Sequence, residues 1–271
     1  MLPIETLKQI KKIYMIPLIV QGFLLILAMM STLWIVSVIL KNASIVDLFW
    51  GLGFVAVNTF YFINSDITVA KTILLVLVTI WGLRLSIYLA WRNIGKGEDF
   101  RYKEFRKKYG EKNYWWISFF QTFLLQGVLM WIISMTLYGV NRYSTSHELS
   151  IIDYLAVFVW LVGFIFEAGG DRQLARFKSN LLNKGKVLNS GFWHYTRHPN
   201  YFGDSAMWWA YALFCLSAGS FGLVAGSVIM TLLIINVSGV ALLEKSLKVQ
   251  KPEYADYIKR TSSFLPWFPK K

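Results

Sequence analysis

The densest run of chemically capable side chains is Ser190-Gly191-Phe192-Trp193-His194-Tyr195-Thr196-Arg197-His198-Pro199-Asn200-Tyr201-Phe202-Gly203-Asp204. It follows Lys184-Gly185-Lys186 and leads into an apolar block. Pro199 suits the first position of a helix, with Thr196 or His198 just ahead of it. Asn200 and Asp204 then stand one turn apart on that helix. Arg197 and the unsatisfied N–H groups of the helix start would suit an anion such as a phosphate. His194 or His198 alone reads as an ordinary interfacial histidine. The cluster as a whole exceeds what membrane anchoring requires.

Other ionisable residues stand inside apolar stretches, where an unpaired charge costs about 2.5–3.5 kcal/mol at a span centre. Asp47, with Trp50 on its face, stands near the end of a predicted helix and reads either as a helix N-cap or as a functional carboxyl. Trp81, Arg84 and Tyr88 share one helical face. They read as a snorkelling arginine in an aromatic belt, or as a cationic, phenolic wall of a polar cavity. Glu167 and Asp171 are one turn apart and need donors between them, for which Arg172, Arg176 and Lys178 are at hand. The loop Gly95-Lys96-Gly97-Glu98-Asp99-Phe100-Arg101-Tyr102 mixes flexible glycines with charge. The run 103–112 reads as a basic amphipathic segment at a membrane surface. Glu244 is expected to open an amphipathic helix. The closing Thr261-Ser262-Ser263-Phe264-Leu265-Pro266-Trp267-Phe268-Pro269 must pack or lie at an interface.

The elements that position these groups follow from composition. Of 271 residues, 56% are hydrophobic and 16% charged, with 12 Trp and 20 Phe. Soluble domains average about 25% charged residues, so composition alone argues against a soluble enzyme. One Cys and 3 His exclude a disulfide scaffold, a zinc ribbon and an iron–sulfur site. The apolar runs are continuous and do not alternate, which predicts helices. Spans are expected near 14–40, 44–64, 72–91, 117–140 and 152–170. The apolar block from Ser205 to Leu243 carries no charge and is nearly twice as long as a ~30 Å hydrocarbon core at 1.5 Å per residue. It must fold back, with Ala218-Gly219-Ser220-Phe221-Gly222 as the turn. The expected fold is an all-α polytopic membrane protein of seven transmembrane helices, forming one integral domain over 1–271. The first run is too long for a cleaved signal peptide.

The net charge is +13. Most Lys and Arg fall at Lys41 and in 92–112, 172–197 and 245–271, on one side of a seven-helix chain. Lys8, Lys11, Lys12, Lys71 and Arg142 fall on the other. The positive-inside rule places the C-terminus in the cytoplasm and the N-terminus outside. The charge reads as topology and anionic headgroup contact. No nucleic-acid or metal partner is expected.

Several motifs carry a family resemblance over about 44–269. They are Asp47-x-x-Trp50, Trp81-x-x-Arg84-Leu85, Gly97-Glu98-Asp99-x-Arg101-Tyr102, Asp171-x-Gln173, Thr196 to Asp204, and Thr261-Ser262-Ser263-Phe264-Leu265-Pro266-Trp267. The chain resembles the membrane steroid 5-alpha-reductase-like superfamily, in particular its uncharacterised bacterial branch. The resemblance implies seven helices in a bacterial inner membrane. It implies NADPH bound without a Rossmann turn, and a hydride passed to the beta carbon of a lipid or steroid-like enone. Asp47 would be the counterpart of the family's carbonyl-polarising Glu, protonated by burial. Trp81 stands where the reductases have Tyr, and Tyr88 is a substitute for it. Cofactor contacts carry over to Arg84, Asp99, Arg101, Tyr102, Glu167, Asp171, Lys178, Tyr195, Arg197, His198, Asn200, Tyr201, Asp204 and Glu244. The superfamily also includes isoprenylcysteine carboxyl methyltransferases, with an Arg-His-Pro-x-Tyr-x-Gly block and an acidic residue matching Glu244. That likeness implies S-adenosylmethionine instead. A non-catalytic lipid-binding protein on the same scaffold is the third reading. Membrane lipids and a hydrophobic small molecule are the expected partners.

Overall fold

The computed structural model describes residues 16–238, Val240, Glu244 and 253–270. The start of the first predicted span, Lys8, Lys11 and Lys12, the end of the last apolar block at 241–243, and the helix expected through Lys245-Ser246-Leu247 lie outside the described residues. All regular structure among the described residues is helical. Four helices are long and apolar enough to cross a membrane: Leu18–Leu40, Val69–Asn93, Glu111–Tyr143 and Ile151–Ser179. They contain most or all of the predicted spans near 14–40, 72–91, 117–140 and 152–170.

The predicted span 44–64 is broken in the structure. Ile45–Leu48 is a single turn, Phe49 departs from helical geometry (φ −96°, ψ 1°), and Trp50–Ile63 follows with 14 residues. That is short of the ~20 residues a span needs. Asp47 does not cap this helix: Phe49 occupies the N-cap, with no side-chain hydrogen bond. The Asp47 carboxylate is drawn sideways to Arg101 and Tyr102.

The chain forms two compact units. The first comprises 16–67 and 78–134 among the described residues. Its opening helix Leu18–Leu40 ends where Lys41 turns left-handed (φ 50°), and Asn42 N–H returns to Ser37 O. The Asn42 Oδ1 atom then accepts from Ser44 N–H at 3.0 Å and Ser44 Oγ at 2.6 Å, which redirects the chain towards Asp47. A side chain on Gly51 would meet Gly82 O at 2.4 Å, so two glycines let these helices touch. Phe54 and Trp81 fill the space beside them at full burial.

The second unit comprises 68–77 and 135–270 among the described residues. Ile151–Ser179 opens with a capping box between Ser150 and Asp153. Pro199 begins the helix Pro199–Ser217, as its ring favours. The two helices meet along a seam of small residues. A Cβ on Gly163 would lie 2.7 Å from Gly203 O, and one on Gly203 would lie 2.4 Å from Glu167 N. Beyond the glycines, Trp160 Nε1–H donates to Tyr211 OH at 3.0 Å. The predicted fold-back is present: Gly219 takes φ 75°, Ser220 N–H bonds Cys215 O, and Gly219 N–H bonds Leu216 O. This left-handed cap ends the helix.

The seam makes a direct prediction. Gly163→Ala places its methyl against a backbone carbonyl that has no rotamer to change. It should lower stability by about 1–3 kcal/mol, read as a fall in the thermal unfolding midpoint in detergent. Gly222→Ala meets nothing within 4 Å and should leave the midpoint unchanged.

Candidate functional site

In the first unit, the loop 95–102 folds back onto the Asn42–Asp47 turn. Asp99 caps the helix Phe100–Tyr109 by accepting from Arg101 N–H at 3.0 Å. The Arg101 guanidinium then spans two carboxylates: Nε–H donates to Asp99 Oδ1 at 2.9 Å and Nη2–H to Asp47 Oδ2 at 2.6 Å. Tyr102 OH donates to Asp47 Oδ1 at 2.7 Å and accepts from Gln126 Nε2 at 3.3 Å. Burial opposes the Arg101 charge, but Asp47 and Asp99 outweigh it and hold the guanidinium protonated. Burial also raises the Asp99 carboxyl, yet hydrogen bonds and charge from Arg101 bring it below its usual value. Burial and the Asp47 charge push the Tyr102 phenol well above its ordinary 10. The Tyr102 phenol therefore keeps its proton, which it donates to Asp47 Oδ1.

Glu98 provides a second clamp beside it. Its oxygens receive both Nε–H and Nη2–H of Arg106, at 3.0 and 2.9 Å, and Oε1 also receives Ala43 N–H at 2.8 Å. Arg106 lies over the Tyr114 ring at 4.6 Å. Arg106 and Gln126 are not singled out by the sequence reading, and Glu98 enters it only as part of the Gly97-Glu98-Asp99 motif. A glutamine inside an apolar span was a usable signal; a basic run gave none.

On Val69–Asn93, Arg84 lies 5.7 Å from the Tyr88 ring centroid, and Arg92 approaches the same ring at 5.8 Å. The shared face read from spacing is thus present for Arg84 and Tyr88. Trp81 is fully buried against Phe54.

In the second unit, Arg197 is enclosed. Its Nε–H and Nη2–H donate to Glu244 Oε1 at 2.8 and 2.6 Å, and Nη1–H donates to the carbonyls of Ile258 and Thr261. Its backbone N–H bonds Ser262 O at 2.9 Å. The guanidinium expected to meet an anion is given to Glu244 and to the C-terminal segment. His198 Nε2 lies 3.4 Å from the same Glu244 oxygen, and its ring stacks on Tyr201. Thr196 Oγ1–H donates to Phe264 O, Tyr257 OH to Trp193 O, and Trp267 N–H to Tyr195 O. The segment 253–270 is therefore a strap bonded along the 193–198 turn, while Leu265, Trp267 and Phe268 remain exposed. Burial raises Glu244, but His198 and Arg197 outweigh it and hold its carboxyl below the usual value. Burial and the Glu244 charge push Tyr254 up to about 12.

One turn into Pro199–Ser217, Asn200 Nδ2–H donates to Asp171 Oδ1 at 3.1 Å. Glu167 and Asp171 are buried, and Asp204 is half-buried on the same helix as Asn200. Tyr195 is partly exposed against Phe268, and Lys178 is exposed in the last turn of its helix.

A sequence family described as "Protein of unknown function (DUF1295)" matches residues 33–261. The chain belongs to that family, which is part of the steroid 5-alpha-reductase-like superfamily. An uncharacterized protein of Schizosaccharomyces pombe is 25% identical over 274 residues, covering 91% of this chain and 79% of that protein. A stretch of 110 residues is 34% identical to the Delta(14)-sterol reductase of the same organism, covering 34% of this chain and 25% of the reductase. Both relatives are eukaryotic, and neither bears on the bacterial membrane that the resemblance implied. No solved structure matches.

The Glu244 clamp carries a pH signature. Its folded pKa lies below the unfolded value, so its contribution is complete above the ordinary carboxylate range and is lost as pH falls through the folded value. Native protein and Glu244→Gln should differ in unfolding midpoint by a constant amount from pH 6 to 8. That gap should close on acidification below about pH 4, as followed by thermal scans across the range.

Proposed function

We propose that this family member is an NADPH-dependent membrane reductase of a carbon–carbon double bond conjugated to a carbonyl, in a lipid or steroid-like enone. The observation that supports it most is the Asn200–Asp171 hydrogen bond. It joins two residues 29 apart in sequence that the superfamily likeness assigns to one ligand. The partial match to a sterol reductase points the same way. The proposal includes seven spans in one integral domain, with the N-terminus outside and the C-terminus cytoplasmic, and the bacterial inner membrane as host.

The side chains fit a dinucleotide in kind. Asp171 accepts and the Asn200 amide both donates and accepts, which suits ribose hydroxyls or a carboxamide. Arg172, Arg176 and Lys178 on the same helix, with Lys184 and Lys186 in the following loop, offer positive charge for phosphates. Glu167, Asp204, Tyr195 and Tyr201 complete the polar surroundings. Arg197, His198 and Glu244 act as positioning residues, because they fix the turn from which Asn200 emerges. Bound NADPH would supply the hydride. At the carbonyl, Asp47 acts with Tyr102, whose phenol keeps its proton and would turn it from Asp47 Oδ1 to the substrate oxygen. Arg101 and Asp99 hold that pair in place. Trp81, Tyr88 and Arg84 line the adjoining helix.

Thermal stabilisation of the detergent-purified protein by NADPH, NADH and S-adenosylmethionine tests this. A ligand at 100 times its dissociation constant adds about 2.7 kcal/mol. NADPH should raise the midpoint in the native chain and fail to do so in Asn200→Ala. A response to S-adenosylmethionine alone would replace reduction with methyl transfer, and no response to any of the three would remove the cofactor roles. Asp47→Ala should keep the NADPH response and lose consumption of NADPH with an enone lipid. Undiminished turnover would remove Asp47 from the chemistry.

A further inference from the structure

The helix Glu111–Tyr143 is apolar enough to cross a membrane, yet it widens into a π turn at Phe119–Leu124. Leu125 N–H reaches back five residues to Phe120 O. Such widened turns recur where a helix re-aims a side chain for function. Gln121 stands inside this one. Its amide oxygen Oε1 is buried and accepts no hydrogen bond. A buried carbonyl oxygen with no donor is a standing loss of stability, and a native chain keeps few of them.

Gln126 lies five residues further on. In π geometry, residues i and i+5 are neighbours, as i and i+4 are in an α-helix. The Gln126 amide is committed, since it donates to Tyr102 OH, which in turn donates to Asp47. One face of the helix thus carries an amide tied into the Asp47–Arg101 network and, one wide turn away, an amide whose oxygen is not. Phe123 beneath it is fully buried. Gln121 itself is half-buried, and Phe120 and Leu125 on either side are 58% and 52% exposed. The surface that flanks Gln121 is thus open to a molecule dissolved in the hydrocarbon phase, with Oε1 just beneath it.

We infer that Gln121 is a recognition contact for an uncharged hydroxyl group on a lipid. Oε1 requires a donor and the adjacent NH2 can donate, and a hydroxyl both donates and accepts. A phosphate or carboxylate has no proton for Oε1 and would face the Asp47 carboxylate beyond Gln126. An ammonium would have to enter apolar surroundings as an ion. A lipid alcohol brings an apolar body suited to the helix surface and one polar group suited to the amide. This site does not depend on the reductase reading, because it concerns binding alone.

The test uses full-length protein in nanodiscs, with ergosterol and its 3-O-methyl ether as probes. The ether keeps the ring system and loses the donated proton. The alcohol should bind the native chain about tenfold more tightly than the ether, the worth of one hydrogen bond. In Gln121→Leu the two should bind alike, and the variant should unfold at the native temperature or above it, since a lone buried amide has been removed. Equal binding of the two probes by the native chain would overturn the inference, as would no binding of either. A preference that survives in Gln121→Leu would overturn it too. A variant that melts well below the native chain would show that the amide serves the fold, with the same consequence. The NADPH response of Gln121→Leu, measured alongside, is expected to be native, so a failure of the cofactor reading is seen separately.

Discussion

A guanidinium withdrawn from water has to be met by acceptors around its rim, and Arg197 shows how far a chain must reach to do so. Its partners come from the end of the last apolar block, at Glu244, and from the backbone of the strap, at Ile258 and Thr261, while Ser262 O receives the Arg197 backbone N–H. Taking one charge out of such a buried pair strands the other, at about 3–5 kcal/mol. The turn 193–198 is therefore held by groups distant in sequence. Asn200 leaves that turn in a fixed direction because Pro199 sets the first helical dihedral. Gly170 accommodates the Pro199 ring, with Cγ 3.1 Å from where a Cβ would stand. The Asn200–Asp171 contact is the end of this sequence of constraints.

The first unit solves the same problem with carboxylates on short connections. Asp99 serves as a helix cap and as a partner of Arg101, so the start of Phe100–Tyr109 and the orientation of the guanidinium are set together. Glu98 ties Arg106 to the backbone of Ala43. Each acidic group in the loop is bound to a base and to a backbone N–H. This explains how a loop with two left-handed glycines, Gly95 and Gly97, can hold a polar network in register.

What could be read from residues alone was what local chemistry dictates. Proline at a helix start, glycine at a reversal and long unbroken apolar runs each have one stable solution, and Pro199, Gly219 and the four long helices follow them. The gathering of Asp47, Arg101 and Tyr102 was visible only as a set of unusual residues, without their contacts. The break at Phe49 was hidden because Ile45 to Ile63 is apolar apart from Asp47, Asn58 and Thr59, and composition does not report a kink. That the closing segment packs was legible, but its target was hidden for a different reason. Its bonds run largely through backbone carbonyls, which every residue carries, so Thr261 to Phe264 reveal nothing of their target. The Asn200–Asp171 pairing needed the packing of two helices, and the glycines that permit it lie in stretches where glycine has several other uses.

The strap also orders events during synthesis. Ile258, Thr261, Ser262 and Phe264 follow Ile151–Ser179 and Pro199–Ser217 in the chain, so they leave the ribosome after those helices. Until then the turn at Thr196–His198 lacks the carbonyls that receive its side chains. A nascent chain stalled before Thr261 would carry both of these helices yet leave the turn between them unassembled, so assembly of the turn lags behind delivery of the helices it joins.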